Sequence, residues 1–222
     1  MKKLIILGTG GNCIDILDTI NDINEINVHP IYECIGFLDD NQENLGKVHY
    51  GIEVLGPLSS ASNYTDCFFV NGIGSPFNFW KKKDIISKTQ IPLKKFATIV
   101  HPSAYVSKMS NLSHGTVVLQ NVTIASNVSI GNHVIILPNT VISHDGFIGD
   151  YTCITGGVSI SGGVKVGNSC YIGTNSAIIG NITIGDFSLV SMGSVVIDSV
   201  EENSVVIGNP AKLLRKTIVS KA

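Results

Sequence analysis

The chain has 222 residues, 14% of them charged, with a net charge of −2 at pH 7 and a mean hydropathy of +0.30. That balance excludes a disordered polymer and gives no electrostatic case for a nucleic-acid partner. No apolar run approaches the roughly 20 residues of a bilayer-spanning helix, and no basic stretch precedes a short apolar one, so the expected location is the cytoplasm, without membrane insertion.

Residues 3–7, Lys-Leu-Ile-Ile-Leu, end in Gly8-Thr9-Gly10-Gly11-Asn12, after which Ile14, Leu17 and Ile20 recur at helical spacing. The pattern predicts strand, glycine turn, helix. A second strand over 34–38 ends in Asp39-Asp40, and a third over 67–70 ends in Asn71-Gly72-Ile73-Gly74. Residues 81–88 read as a surface helix, and 96–100 run into the next region. Alternating β and α elements imply a small parallel sheet, a Rossmann-like domain over residues 1–99, with ligands beyond the carboxyl ends of its strands. Gly8, Gly10, Gly11 and Asn12, Asp39 and Asp40, and Gly72 and Gly74 converge there as candidate substrate-binding residues.

The glycine loop lacks the third glycine of a dinucleotide fingerprint, where Cys13 stands, so NAD is disfavoured. Its glycines still let backbone N–H groups and a helix N-terminus approach a phosphate, and the aspartates can accept hydrogen bonds from a ribose or base. The alternative is a turn that needs positive φ beside a solvated acidic strand end.

From Val100 to Val196 every sixth residue is Val, Ile or Leu. Neither a period of 3.6 nor one of 2 buries one position in six, whereas a three-sided coil of about 18 residues does, so residues 100–222 are predicted to be a hexapeptide β-solenoid. The residue two before each aliphatic is usually small, as in Ala104, Thr116 and Ser176, as a tight corner demands. Gly131, Gly149, Gly167, Gly173 and Gly185 directly follow an aliphatic, where backbone freedom is expected to help the chain turn.

Residues 18 apart form columns along such a coil. Stepping from His144 reaches Gly162 and then Gly180, and stepping from Asp145 reaches Gly163 and then Asn181. An imidazole therefore heads a column of two residues without side chains, a groove for a narrow extended ligand. A neighbouring carboxylate can orient the ring and stabilise its protonated form, which makes His144 the candidate general base and Asp145 its partner. The alternative is a corner histidine making a surface hydrogen bond. His114 and His133 lie on other sides of the prism or lack an acidic neighbour, and the five cysteines show no CxxC spacing, so neither a metal site nor a disulfide framework is expected. The Asn-x-Ser/Thr triplets follow from small polar corners rather than from glycosylation.

Taken together, the Gly8-Thr9-Gly10-Gly11 loop, Phe37-Leu38-Asp39-Asp40, Gly72-Ile73-Gly74, His101-Pro102-Ser103-Ala104, the His144-Asp145 pair and Gly208-Asn209-Pro210-Ala211-Lys212 resemble one group. They are similar to the sugar acyltransferases of the left-handed β-helix superfamily, typified by bacterial sialic acid O-acetyltransferases and UDP-4-amino-sugar N-acetyltransferases. The resemblance covers nearly the whole chain. It implies a homotrimer of left-handed parallel β-helices, acetyl-CoA between neighbouring subunits, and a nucleotide-linked amino sugar, with UDP first, on the N-terminal domain. His144 would be the base in a direct transfer from acetyl-CoA, oriented by Asp145.

By the same resemblance Cys153, Gly162, Gly180, Met192, Gly193, Asn209, Pro210 and Lys212 would line the cofactor cleft, with Lys212, Arg215 and Lys216 near CoA phosphates. The chain departs from the group at Asn12, where a histidine is common, at Cys153, where the N-acetyltransferase branch often has a second histidine, and at Gly146, where a cysteine is frequent. Three other readings stand beside the amino-sugar N-acetyltransferase: a sialic acid O-acetyltransferase, a non-catalytic scaffold, and a carbonic-anhydrase-like solenoid, for which the histidine spacing gives no convincing set.

Overall fold

The computed structural model describes residues 1–217, so the last five positions of the expected second domain, 218–222, lie outside it. The opening apolar run forms strand β1 (Lys2–Leu7), and the helical spacing after it forms α1 (Gly11–Ile26). Leu4 and Ile6 pack on one side of β1, Ile5 and Leu7 on the other, so the strand reads as a continuous apolar run rather than an alternation. Strands β2 (Tyr32–Leu38) and β5 (Phe68–Asn71) flank it in parallel.

Two strands escape the sequence reading: β3 (Val48–His49) and β4 (Ile52–Gly56), which extend the sheet to the order β3-β4-β2-β1-β5. Both are short and partly exposed, so neither carries a run of apolar residues. Because β3 is antiparallel to β4, the sheet is parallel except at that edge. The helix expected over 81–88 exists as α2 (Lys82–Ser87), but it is not confined to the surface: Lys82 is 0% exposed.

Seventeen two-residue strands, β6 (Ile99–Val100) to β22 (Val195–Val196), follow at intervals of six residues. Each from β6 to β19 pairs in parallel with the strand 18 residues on, as Ile124 does with Ile142 and Ile142 with Ile160. Three sheets result, the three faces of a prism; face one starts at β6, face two at β7 (Tyr105–Val106) and face three at β8 (Asn111–Leu112). The sixth-residue aliphatics from Val118 to Val196 are at most 2% exposed and form one core, with Val100, Val106 and Leu112 packed partly buried at its open end. Each such side chain contributes about 1.5–3 kcal/mol of transfer free energy.

The corners are made differently from the expectation. The glycines that directly follow an aliphatic are not left-handed; they are required because a Cβ on Gly149 would lie 2.6 Å from the Gly167 carbonyl carbon of the next coil. The left-handed turn falls two residues later, at Asn127 (φ 57°), Asp145 (φ 58°) and Asn181 (φ 61°) among others. Asn and Asp tolerate that region because their short polar side chains bond locally. Strand β23 (Ser204–Gly208) continues face one, and β24 (Ala211–Lys216) folds back antiparallel on it.

Face one carries the α/β domain. Ile99, Val117, Ile135 and Cys153 share a buried cluster with Leu4, Ile16 and Phe37. Polar ties add direction: His101 Nε2 lies 2.7 Å from Asp22 Oδ2 of α1, and Lys82 Nζ donates to the His133 carbonyl oxygen at 2.7 Å.

Candidate active site

The chain leaves β1 through Gly8, whose φ of 95° and whose Ile73 neighbour, 2.9 Å from where a Cβ would stand, both require glycine. Gly72 is equally constrained, since a Cβ there would meet Cys13 Sγ at 2.4 Å. These two contacts press the loop after β1 against the loop after β5. Gly10 and Gly11, by contrast, face open space. Helix α1 begins there with no side-chain cap and no acidic residue in its first turn, and the N–H groups of Gly10, Gly11 and Asn12 make no hydrogen bond among the described residues. Free amides at the positive end of a helix dipole form an anion site.

All eight residues expected to bind substrate, Gly8, Gly10, Gly11, Asn12, Asp39, Asp40, Gly72 and Gly74, line one cleft of about 490 Å³. Several are tied into its wall. Asn12 Nδ2 donates to the Gly74 carbonyl at 3.1 Å, which braces the two loops. Asp39 accepts the Asn41 N–H at 2.8 Å and the Thr9 hydroxyl, and Asn44 Nδ2 donates to Thr9 Oγ1 at 2.9 Å. Asp40 accepts the Leu58 N–H at 3.0 Å and pairs with Lys88 at 2.7 Å. Burial works to raise the Asp40 pKa, but the Lys88 ammonium and the Leu58 N–H outweigh it and leave the carboxyl below its ordinary range. Thr9, Asn44 and Lys88 were missed by the sequence reading because no local spacing links them to the aspartates.

The second cluster lies on the coil. His144 and Asp145 fall between β13 (Val141–Ile142) on face two and β14 (Phe147–Ile148) on face three. His144 Nδ1 is 2.7 Å from Asp145 Oδ2. An ionised carboxylate only accepts, so Nδ1–H donates and the neutral ring keeps its lone pair on Nε2. Asp145 is held below the ordinary carboxylate range first by the Asn127 side chain, whose Nδ2 donates to Oδ1 at 2.6 Å, and then by His144. Asn127 stands 18 residues before Asp145; stepping backward along the column would have found it.

The imidazole itself occupies the start of the expected groove. A Cβ on Gly162 would lie 2.6 Å from Cε1 and 2.7 Å from Nε2, so glycine is needed there to seat the ring. The N–H groups of Gly162 and Gly180, on the same corner, make no hydrogen bond among the described residues. Met192, 74% exposed, and Gly193 lie instead on the corner between faces one and two. Asn209 and Pro210 form the exposed turn between β23 and β24, and Lys212 Nζ lies 3.9 Å from Asp198. Within one chain these positions do not meet His144.

Cys153, assigned to the cofactor cleft by the resemblance, lies on face one, away from the His144 corner. It is 0% exposed, packed between face one and the Gly74 loop, and burial raises its thiol pKa, partly offset by Lys82. Cys13 is likewise buried, its thiol pushed up to about 12 by desolvation. His133 stacks on Tyr151 with ring centroids 5.2 Å apart, and burial, then Lys82, lowers its pKa to about 4, so it is a neutral packing group. Because the α/β domain covers face one and His144 stands on the opposite corner, the cleft and the imidazole lie on different sides of a single chain.

Among the described residues no helix is long and apolar enough to cross a membrane, and no group of three or more His, Cys, Asp or Glu could hold a metal ion. Residues 3–87 match the family model described as the PglD N-terminal domain. No curated protein sequence matches the chain. Among solved structures, the acetyltransferase domain of PglB from Neisseria gonorrhoeae FA1090 is 23% identical, with a TM-score of 0.83 over 96% of this chain and 100% of that one. PerB from Caulobacter crescentus, in complex with CoA and GDP-perosamine, is 23% identical with a TM-score of 0.81 over 97% and 98% of the two chains. WeeI from Acinetobacter baumannii AYE is 22% identical with a TM-score of 0.80, covering 96% and 100%. At these identities the likeness establishes the fold, an α/β domain followed by a left-handed parallel β-helix. The resemblance drawn from the residues is thus met by a family match over 3–87 and by the fold over nearly the whole chain.

Proposed function

We propose that this chain is an acetyl-CoA-dependent N-acetyltransferase that acts on the 4-amino group of a nucleotide-linked amino sugar, for building a bacterial surface glycan. The observation that carries the reading is the exposed imidazole of His144, with Nδ1 committed to Asp145, Nε2 left as the base and the ring seated on a glycine. A scaffold would need neither the pair nor the glycine. The cleft supplies the other half: free amides at the start of α1 for a phosphate, and the tied aspartates at its wall for ribose or base.

In this reading Nε2 of His144 takes a proton from the sugar amine as its nitrogen attacks, and Asp145 stabilises the imidazolium that results. The new N–C bond forms at the thioester carbonyl of acetyl-CoA, the C–S bond breaks, and CoA leaves as the thiol after taking the proton from the His144 imidazolium. The unused N–H groups of Gly162 and Gly180 meet the acyl and pantetheine end, and Lys212, Arg215 and Lys216 meet phosphates. Transfer is direct in this reading, because Cys153 and Cys13 are buried thiols with raised pKa that lie on the face-one side, away from the His144 corner. The working unit is the homotrimer that the sequence resemblance implies, and the separation of cleft and base within one chain supports an assembly in which the imidazole of one subunit faces the cleft of its neighbour. Met192, Gly193 and the Asn209–Pro210 turn then join the cofactor site across that boundary.

UDP comes first among the nucleotides on the sequence resemblance; PerB, complexed with a GDP sugar, is the reason to test GDP beside it. Release of CoA from acetyl-CoA, measured against UDP-, dTDP- and GDP-linked 4-amino sugars and against sialic acids, tests the reading. Turnover with a nucleotide amino sugar is expected. Turnover confined to sialic acids would replace the acceptor, and none with any acceptor, together with no binding of acetyl-CoA, would leave a scaffold.

A further inference from the structure

We infer that Asn127 is a positioning residue for the base, acting through Asp145 as the third member of an Asn127–Asp145–His144 chain. The inference rests on His144 serving as the base. Asn127 Nδ2 donates to Asp145 Oδ1 at 2.6 Å, while Oδ2 of the same carboxylate takes His144 Nδ1 at 2.7 Å. Both oxygens of an exposed carboxylate are therefore claimed, one by the scaffold and one by the ring. A carboxylate bonded to the ring alone can rotate in water, and each rotation frees Nδ1 and lets the ring turn or change tautomer.

Asn127 is suited to this task by its own backbone. It sits in the left-handed corner conformation, φ 57°, one coil before Asp145 in the same column, and Asp145 N–H donates to the Ser126 carbonyl at 3.1 Å, so the two residues are locked in register. On the other side of Asp145 the column offers no substitute. Gly163 has no side chain, and Asn181 lies over Gly163, where a Cβ would stand 2.4 Å from its Oδ1. Among the described residues, Asn127 and His144 are the side chains that bond Asp145. Among the other corner asparagines, Asn121 reaches Asn139 at 3.4 Å on the neighbouring corner, and Asn132 and Asn168 donate to Asp150 and Asp186 at 3.2 and 3.3 Å, carboxylates that bond no histidine among the described residues; only at Asn127 does the ladder end on an imidazole.

The test compares Asn127→Gly, which keeps the left-handed backbone and removes the amide, with Asn121→Gly as the matched corner control, and adds Asn127→Asp. Asn127→Gly is expected to lower kcat on the order of 10-fold with KM for both substrates nearly unchanged, because orientation of the base is lost rather than binding. Asn121→Gly is expected to turn over like wild type. Asn127→Asp brings a second carboxylate against the first, and the added negative charge favours the imidazolium, so the acid limb of the kcat–pH profile moves up by roughly half a unit or more. Wild-type kcat in Asn127→Gly, an equal loss in Asn121→Gly, or an unmoved acid limb in Asn127→Asp would overturn the inference. His144→Ala, run in parallel, separates the failures: if it is inactive while Asn127→Gly is normal, only the positioning role falls; if it is active, the base assignment falls.

Discussion

The corner at His144 and the cleft of the α/β domain are built by opposite means. On the coil every residue has an equivalent 18 positions away, so backbone and core are the same at each turn and chemistry resides in the side chains that break the repeat: His144 and Asp145 above glycines. In the cleft nothing repeats, and chemistry resides in missing side chains, where Gly8 and Gly72 let two loops touch and Gly10 and Gly11 leave amides bare. The coil should therefore forgive most changes except at the departures from its repeat. The cleft should respond to any added atom.

Removing the departure itself is the largest test. His144→Ala should lower kcat about 100-fold or more while acetyl-CoA and nucleotide-sugar affinities change little, as steady-state rates and binding titrations on the same preparation would show. Asp145→Asn should cost less, since it perturbs the ring without deleting the base. Equal losses of rate and binding would mean that the corner holds substrate rather than moves a proton.

The cleft is tested by one methyl group. Gly72→Ala drives its Cβ into Cys13 Sγ, 2.4 Å away, so the loops must part. Nucleotide-sugar affinity should fall about 10-fold, at an overpacking cost of about 1–3 kcal/mol, with acetyl-CoA affinity unchanged. Combining it with Cys13→Gly, which clears the opposing sulfur, should recover part of the loss. If the single variant binds normally, loop contact does not shape the site.

The smallest effect concerns the junction between the two regions. Burial lowers the Lys82 pKa to about 8, from 10.5 in the unfolded chain. Between those values the unfolded chain holds more protons than the folded one, so this residue's contribution to stability rises with pH from about 8 to 10.5 and is flat below. Melting temperatures of wild type and Lys82→Met at pH 7, 8, 9 and 10 should differ by a constant up to pH 8, then shift in favour of wild type. Parallel curves throughout would mean that Lys82 is charged or exposed in the folded protein.

Much of this was legible in the residues. The six-residue period marks the coil because burial of one side chain per face leaves a linear imprint, and the strand-glycine-helix order marks the α/β domain. The 18-residue step also places Gly162 beside His144 without coordinates, although only packing reveals that this glycine seats the ring instead of opening a groove. What stayed hidden is of three kinds. Strands β3 and β4 are too short and exposed to carry a pattern. Lys82 looks like any helix-surface lysine until face one of the coil covers it. Cys153, which the resemblance assigns to the cofactor cleft without saying how exposed it is, is buried beneath the Gly74 loop.

The sequence alone therefore determined the coil, its register and the pairing of His144 with Asp145, because each follows from interactions at fixed separations of 1, 6 or 18 residues. Tertiary structure decided which face the α/β domain covers, which titratable groups lose water, how Thr9, Asp39 and Asn44 meet, and that the cleft and the imidazole stand on opposite sides of the chain. Those outcomes depend on contacts between segments with no common period, such as Asp22 with His101 and Lys82 with His133, and no spacing along a chain encodes where two aperiodic surfaces will press together.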